Sequence, residues 1–241
     1  MSWEGSDDWY GGVVGEKGHY YHQKVIFPRL IPLLKGSVLD VGCGNGVVAR
    51  QLPKSAQYLG IDASQGLIRE AKKLSPEREF LVADATSIPT DRSFENVLFL
   101  LSLQNMEEGE KAVVEAASKL KAGGTLAIVM NHPCFRIPRQ SGWGIDESAK
   151  MQYRKVWNYM SSLAIPIATH PSKETSSQTV SYHHPLSTYT RWITNSGCSI
   201  VNLEEWCSDK KSSGARAKME DRARREIPLF LGLLAKKQIK E

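Results

Sequence analysis

The 241-residue chain has only four cysteines, Cys43, Cys134, Cys198 and Cys207, and no two share the spacing of a zinc finger or a redox dithiol. That excludes a disulfide scaffold and leads us to expect reduced thiols in a cytoplasmic protein. No apolar run approaches the roughly 20 residues that cross a bilayer, so no membrane role is expected. The opening residues, MSWEGSDDWYGG, are acidic and contain no apolar stretch of the secretory kind. Internal repeats and low-complexity tracts are absent. The histidines and acids show no ligand spacing, so no metal is expected.

An excess of either charge is also missing from most of the chain. Residues 209–241 carry ten Lys or Arg against five acids, while the other 208 residues carry 21 of each, so the net +5 arises wholly in the last segment. A basic face can hold nucleic acid. The run RAKMEDRARRE, however, interleaves acids as a solvated helix face does, and nucleic acid is not the expected partner. The length suits one α/β domain with room for an insertion.

Apolar periodicity alternates between strand and helix after residue 37. Strands are expected over 37–41, 57–61, 79–83, 96–101, 125–130, 199–206 and 228–235, with helices over 46–51, 66–73, 108–120, 187–195 and 215–225. The pattern predicts an α/β fold with a doubly wound, seven-stranded, mostly parallel sheet whose last two strands are antiparallel. Between residues 131 and 186 the alternation stops. Fifty-six residues are far more than such a connection needs. They are aromatic (Trp143, Tyr153, Trp157, Tyr159, Tyr182), with a helix expected near 148–163. The division is therefore an N-terminal lid segment (1–35), a core (36–130 and 187–241) and an inserted cap (131–186).

The stretch VLDVGCGNGVVAR, residues 38–50, joins an apolar strand to a glycine-rich loop. The dinucleotide fingerprint Gly-x-Gly-x-x-Gly fits Gly42 and Gly44, but the third glycine is Gly46 and Val47 stands where it belongs. Asp40, at the strand end, would repel a phosphate and attract a cation. Asp62 and Asp84 end the second and third strands. Asp62, 22 residues after Asp40, can accept from a ribose diol, and Asp84 from an adenine amine. The three acids describe a ligand with a cation or amine, a ribose and an adenine.

This constellation resembles the class I S-adenosylmethionine-dependent methyltransferases: VLDVGCGNG is similar to their first motif, GIDAS to the second, VADAT to the third, FENVLFLLSLQNM to the fourth, and LKAGGTLAIVM to the next strand. The likeness is close over 36–130 and looser from 185 onward, with Glu95 where many members have Asp. It implies S-adenosylmethionine as cofactor. Gly42 and Gly44 would line its methionine part, with Asp40 beside them. Asp62 and Ala63 would bind the ribose, Asp84 and Ala85 the adenine, and Leu100 would close the wall. In the family's small-molecule branch an N-terminal helix lies over the cofactor, which makes Tyr20 and Tyr21 candidates for a cation–π lid on the sulfonium.

For catalysis, methyl transfer needs orientation, and needs a base only where the nucleophile arrives protonated. His183 in YHHPLSTY is the chosen base, with Tyr21 and Asn105 orienting the acceptor. Gln104, Asn131, His132 and His184 lie in the same predicted region. A Trp- and Tyr-rich cap over the cofactor mouth suggests a small, aromatic or heterocyclic acceptor. The alternatives are an RNA or protein methyltransferase using the basic C-terminal helix, a binding module that has lost catalysis, and an NAD-dependent dehydrogenase. The acceptor atom and the oligomeric state are not legible.

Overall fold

Period-two burial explains the sheet. In β1 (Val38–Val41) Leu39 and Val41 face one way and Val38 the other, and in β4 (Phe94–Leu100) Val97 and Phe99 oppose Leu98 and Leu100. A sheet apolar on both faces must be covered twice. The structure is a computed structural model, and it describes residues 15–168 and 178–239. A π-helical turn (His22–Ile26) runs into α1 (Phe27–Leu30) and a short 3-10 turn (Ile31–Leu33), with Pro28 and Pro32 at the helix starts where no amide donor is needed. After β1 come β2 (Tyr58–Asp62), α2 (Gln65–Leu74), β3 (Glu79–Val82), β4, α3 (Gly109–Ser118) and β5 (Leu120–Asn131). The cap holds β6 (Ser141–Asp146), β7 (Met151–Val156), β8 (Leu163–Ala168) and β9 (Gln178–His183). The chain returns through α4 (Leu186–Asn195), β10 (Cys198–Trp206), α5 (Ala217–Glu226) and β11 (Phe230–Lys237).

The seven-stranded sheet has the order β3-β2-β1-β4-β5-β11-β10. The pairs β2/β3, β1/β2, β1/β4 and β4/β5 are parallel, and β11 is antiparallel to both β5 and β10. The last two strands are thus antiparallel to each other, and β11 alone is reversed against the rest. One face packs on Val113, Ala116 and Ala117 of α3 with Tyr189 and Ile193 of α4. The other packs on Val25, Ile26 and Leu30 with Ile68 and Ala71 of α2. Strand order reverses between β1 and β4, and ligands of such sheets sit at that switch point.

Two expected helices are absent. Over 46–51 the chain makes turns and only a short 3-10 piece, Ala49–Gln51. Gly46 has φ +74°, outside the helical region, and Arg50 takes the Asn45 carbonyl with its own guanidinium at 2.7 Å. Over 148–163 the chain is not helical: β7 lies there, antiparallel to β6, and β8 begins at its end. Asp146 accepts from the Ser148 hydroxyl (2.6 Å) and the Ala149 amide (2.9 Å), and Lys150 has φ +50°, so the local turn closes a hairpin instead. The basic C-terminal helix is partly neutralised within the chain: Arg224 contacts Glu220 and Asp221, and Arg216 contacts Glu147.

The glycine at 46 is fixed by packing as well as by φ, since an added Cβ would lie 2.8 Å from the Phe80 ring. Gly46→Ala is expected to lower stability by roughly 1–3 kcal/mol through strain plus overpacking. Gly214→Ala, with φ +87° and open space around it, should lose only the backbone term of about 1 kcal/mol. Urea midpoints compare the two, and equal losses would refute the packing argument.

Candidate active site

A cavity of about 430 Å³ opens at the carboxyl ends of β1, β2, β3 and β4. Its floor is the turn after β1. The amides of Gly42 (2.8 Å) and Cys43 (2.9 Å) both donate to the Ile61 carbonyl, drawing the loop against the end of β2. Gly42 has φ +74°, and a Cβ there would stand 2.5 Å from the Ser102 Cβ, so only glycine fits. Ser102 closes that side by donating to the Val41 carbonyl at 2.6 Å. Asp62 Oδ2 accepts from the Gly44 amide and Oδ1 from the Ser64 amide, each at 2.9 Å. Ser64 in turn caps α2 by accepting from Leu67. Asp84 accepts from the Thr86 amide (2.8 Å) and hydroxyl (2.7 Å) on Oδ1, bonds that hold its carboxyl below the usual carboxylate range.

Eight of the residues chosen from the sequence share this wall: Gly42, Gly44, Asp62, Ala63, Asp84, Ala85, Leu100 and Asn105. Asn105 is braced by its own Nδ2 on the Leu101 carbonyl at 3.2 Å, in a 3-10 turn (Leu103–Asn105) that follows a left-handed Leu101. The wall also contains Met106, Glu107 and Glu108, and Tyr182 from β9 of the cap. The sequence offered no signal for Tyr182 beyond its aromaticity. Burial, and then the neighbouring Glu107 carboxylate, push its phenol up.

Asp40, Tyr20, Tyr21 and His183 lie outside the wall. Asp40 is under the floor, 1% exposed, with Oδ2 accepting from Tyr58 at 2.8 Å and a fully buried Oδ1 that has no partner among the described residues. Burial raises its carboxyl to about 7 against the pull of the Tyr58 bond. Tyr20 donates to Asp209 at 3.1 Å, Tyr21 is within 3.2 Å of the Ser208 hydroxyl, and the cation over both rings is Lys210, at 4.8 and 4.9 Å. His183 is 2% exposed and donates from Nε2 to the Tyr159 carbonyl at 2.9 Å. Burial holds its imidazole below the usual range. His132 is bonded to Glu205 at 2.7 Å and accepts from the Cys134 amide, so its tautomer is set inside the fold.

The site fits S-adenosylmethionine. At Gly42 the glycine cradle admits no Cβ, two carboxylates stand in the wall where a diol and an amine would meet them, and among the described residues the wall holds no Lys or Arg that a pyrophosphate would need. The reversed β11 also departs from the all-parallel dinucleotide order.

Residues 39–128 match the methyltransferase domain family. A demethylmenaquinone methyltransferase of Renibacterium salmoninarum is 33% identical over 101 residues, which is 41% of this chain and 43% of that relative. The chain thus spans less than half the length of that curated relative. Among solved structures, an S-adenosylmethionine-dependent methyltransferase of Mesorhizobium loti superposes with TM-score 0.67 at 23% identity, covering 87% of this chain and 96% of that one. A putative S-adenosylmethionine-dependent methyltransferase of Listeria monocytogenes gives 0.65 at 25% identity, covering 91% and 98%.

Because Asp40 keeps its proton in the folded state up to about pH 7 but loses it near 4 when unfolded, rising pH between those values should cost stability. Asp40→Asn cannot titrate and should hold its urea midpoint across that window while the parent's falls. Parallel profiles from pH 4.5 to 7.5 would show that Asp40 is already ionised in the native protein.

Proposed function

We propose that this chain, which belongs to the class I S-adenosylmethionine-dependent methyltransferases, transfers a methyl group to an oxygen, nitrogen or carbon nucleophile of a small aromatic or heterocyclic molecule. The observation that carries the reading is the sharing of one cavity by Asp62 and Asp84 of the core and Tyr182 of the cap. Cofactor-side carboxylates and a cap side chain thereby face the same enclosed space, of a size suited to small ligands. The curated relative named as a demethylmenaquinone methyltransferase supports a small-molecule acceptor that carries a ring.

When bound, S-adenosylmethionine supplies a methyl group already activated on a sulfonium. The chain's part is binding, orientation and exclusion of water. Gly42 and Gly44 let the backbone come close, Asp62 accepts from the ribose hydroxyls, Asp84 and Ala85 take the adenine, and Leu100 lines the apolar side. Asn105 turns its amide toward the acceptor. A proton released from the acceptor has Glu107 as the carboxylate of the wall nearest the cap, beside Tyr182. His183 holds the cap's inner wall through Tyr159, and this reading gives the proton-accepting role to Glu107.

Asp62→Ala should weaken S-adenosylhomocysteine binding at least tenfold by calorimetry, about 1.4 kcal/mol. Cofactor labelled in its methyl group, incubated with protein and host extract, should label the small-molecule fraction. Label in the RNA or protein fraction instead would overturn the acceptor class. Glu107→Gln should lower turnover on a protonated acceptor and leave cofactor affinity within twofold, and unchanged turnover would remove Glu107 from the reaction.

A further inference from the structure

A second group of polar side chains sits on the same edge of the sheet, outside the cavity wall. The Arg136 guanidinium lies 5.6 Å from the Phe230 ring centroid, and the Tyr21 ring meets the same Phe230 edge-on at 5.7 Å. Arg154, from β7 of the cap, donates to the carbonyl of Phe135 (2.6 Å), the residue next to Arg136, and to Ser141 (2.8 Å), with Trp143 under it at 5.1 Å. Lys210 stands 4.9 Å from the Tyr21 ring. Arg136 and Lys210 thus flank one aromatic pair, Phe230 and Tyr21, while Arg154 sits over Trp143 and holds the backbone next to Arg136. Among the described residues no carboxylate lies within 4.0 Å of Arg136, Arg154 or Lys210. The neighbouring acids are engaged elsewhere, Glu205 with His132 and Asp209 with Tyr20.

Such an arrangement is costly. Burial first, and then the charge of Arg154, push the Arg136 guanidinium below its ordinary range. Partly buried cations without counter-charge destabilise a fold unless a ligand supplies it. A guanidinium fork matches the two oxygens of a carboxylate or phosphate.

The location says whose anion this is. Phe230 of β11 pairs with Asn131 of β5, and β5 pairs with β4, whose end carries the wall residues Leu100 and Leu101. Two strand spacings, about 10 Å, separate the cluster from the cavity. That is the length of one or two rings. The Gln104 side chain joins the two regions, bonding both the amide (2.9 Å) and the carbonyl (3.1 Å) of Asn131.

We infer that Arg136 and Arg154, with the Tyr21 hydroxyl, form a subsite for an anionic group, a carboxylate or a phosphate, carried by the acceptor molecule about 10 Å from the atom that receives the methyl group. This rests on the methyl-transfer reading above. It makes the acceptor an aromatic or heterocyclic acid or phosphate ester rather than a neutral ring. It also gives Tyr21 an acceptor-binding role.

Calorimetric titration of the full chain with benzoate, phenyl phosphate and benzyl alcohol tests it, each run with and without S-adenosylhomocysteine. At least one of the two anions should bind, and at least tenfold more tightly than the neutral alcohol. The stronger of the two tells carboxylate from phosphate. Arg136→Met should lose that preference, and Arg136→Lys should regain part of it. Arg154→Gln should weaken it at least threefold. S-adenosylhomocysteine binding should stay within twofold in all three variants, which shows that they are folded. Equal binding of alcohol and anions, no binding of either anion, or an unchanged preference in Arg136→Met overturns the subsite. Loss of S-adenosylhomocysteine binding by the parent chain would instead remove the methyl-transfer reading, while the anion preference would still be read in its absence.

Discussion

The site depends on one carboxylate that holds two backbone amides. Asp62 ends β2, takes the Gly44 amide on one oxygen and the Ser64 amide on the other, and so ties the glycine loop to the start of α2. Charge-assisted bonds of this kind are stronger than neutral ones. They act with the Gly42 and Cys43 amides on the Ile61 carbonyl, and with Phe80 against Gly46, to select the conformation of a loop whose three glycines all have positive φ. The carboxylate's position comes from the parallel register of β1 with β2, which pairs Val41 with Ile61. The core therefore aligns the two strand ends, and the aligned ends make a floor.

The cap is built by different means. Its hairpins are edge structures, β8 tolerating Pro166 because its partner is only β9. Polar contacts tie the cap to the core: His132 to Glu205, Glu147 to Arg216, and the Asn131 amide and carbonyl to the Gln104 side chain. A cap held this way brings one aromatic, Tyr182, into the cavity and one cation, Arg154, beside the end of β5. Acids gather at the cofactor end and cations at the far end, a polarity suited to a cationic cofactor and an anionic acceptor.

Much of the core was legible because its causes are local or periodic. Alternation over β4 and β5, helical spacing over α3 and acids at strand ends each leave a mark within a few residues. The errors share a cause as well. The expected helix over 46–51 yields to Gly46 pressed on Phe80, 34 residues along the chain, and to Arg50 reaching back to Asn45 and Glu16. The expected cap helix yields to an Asx turn at Asp146 that composition alone conceals. Arg78 is a further case: its buried guanidinium donates to the carbonyls of Leu52, Pro53 and Ala56, and nothing near it in sequence marks it as structural.

By itself the sequence determined the strand and helix order of the core, the glycines that must turn with positive φ, and the acids that end the first three strands. Tertiary structure alone decided which side chains share a cavity. Tyr20 met Asp209 across 189 residues, and Lys210 covered the rings expected to face a sulfonium. Asp40 was sealed under the floor against Tyr58, while Tyr182 entered the wall. The physical reason is the range of the forces. Backbone sterics and burial periodicity act over a few residues and write themselves into sequence. Charge pairing and side-chain packing act across space between segments whose spacing carries no pattern.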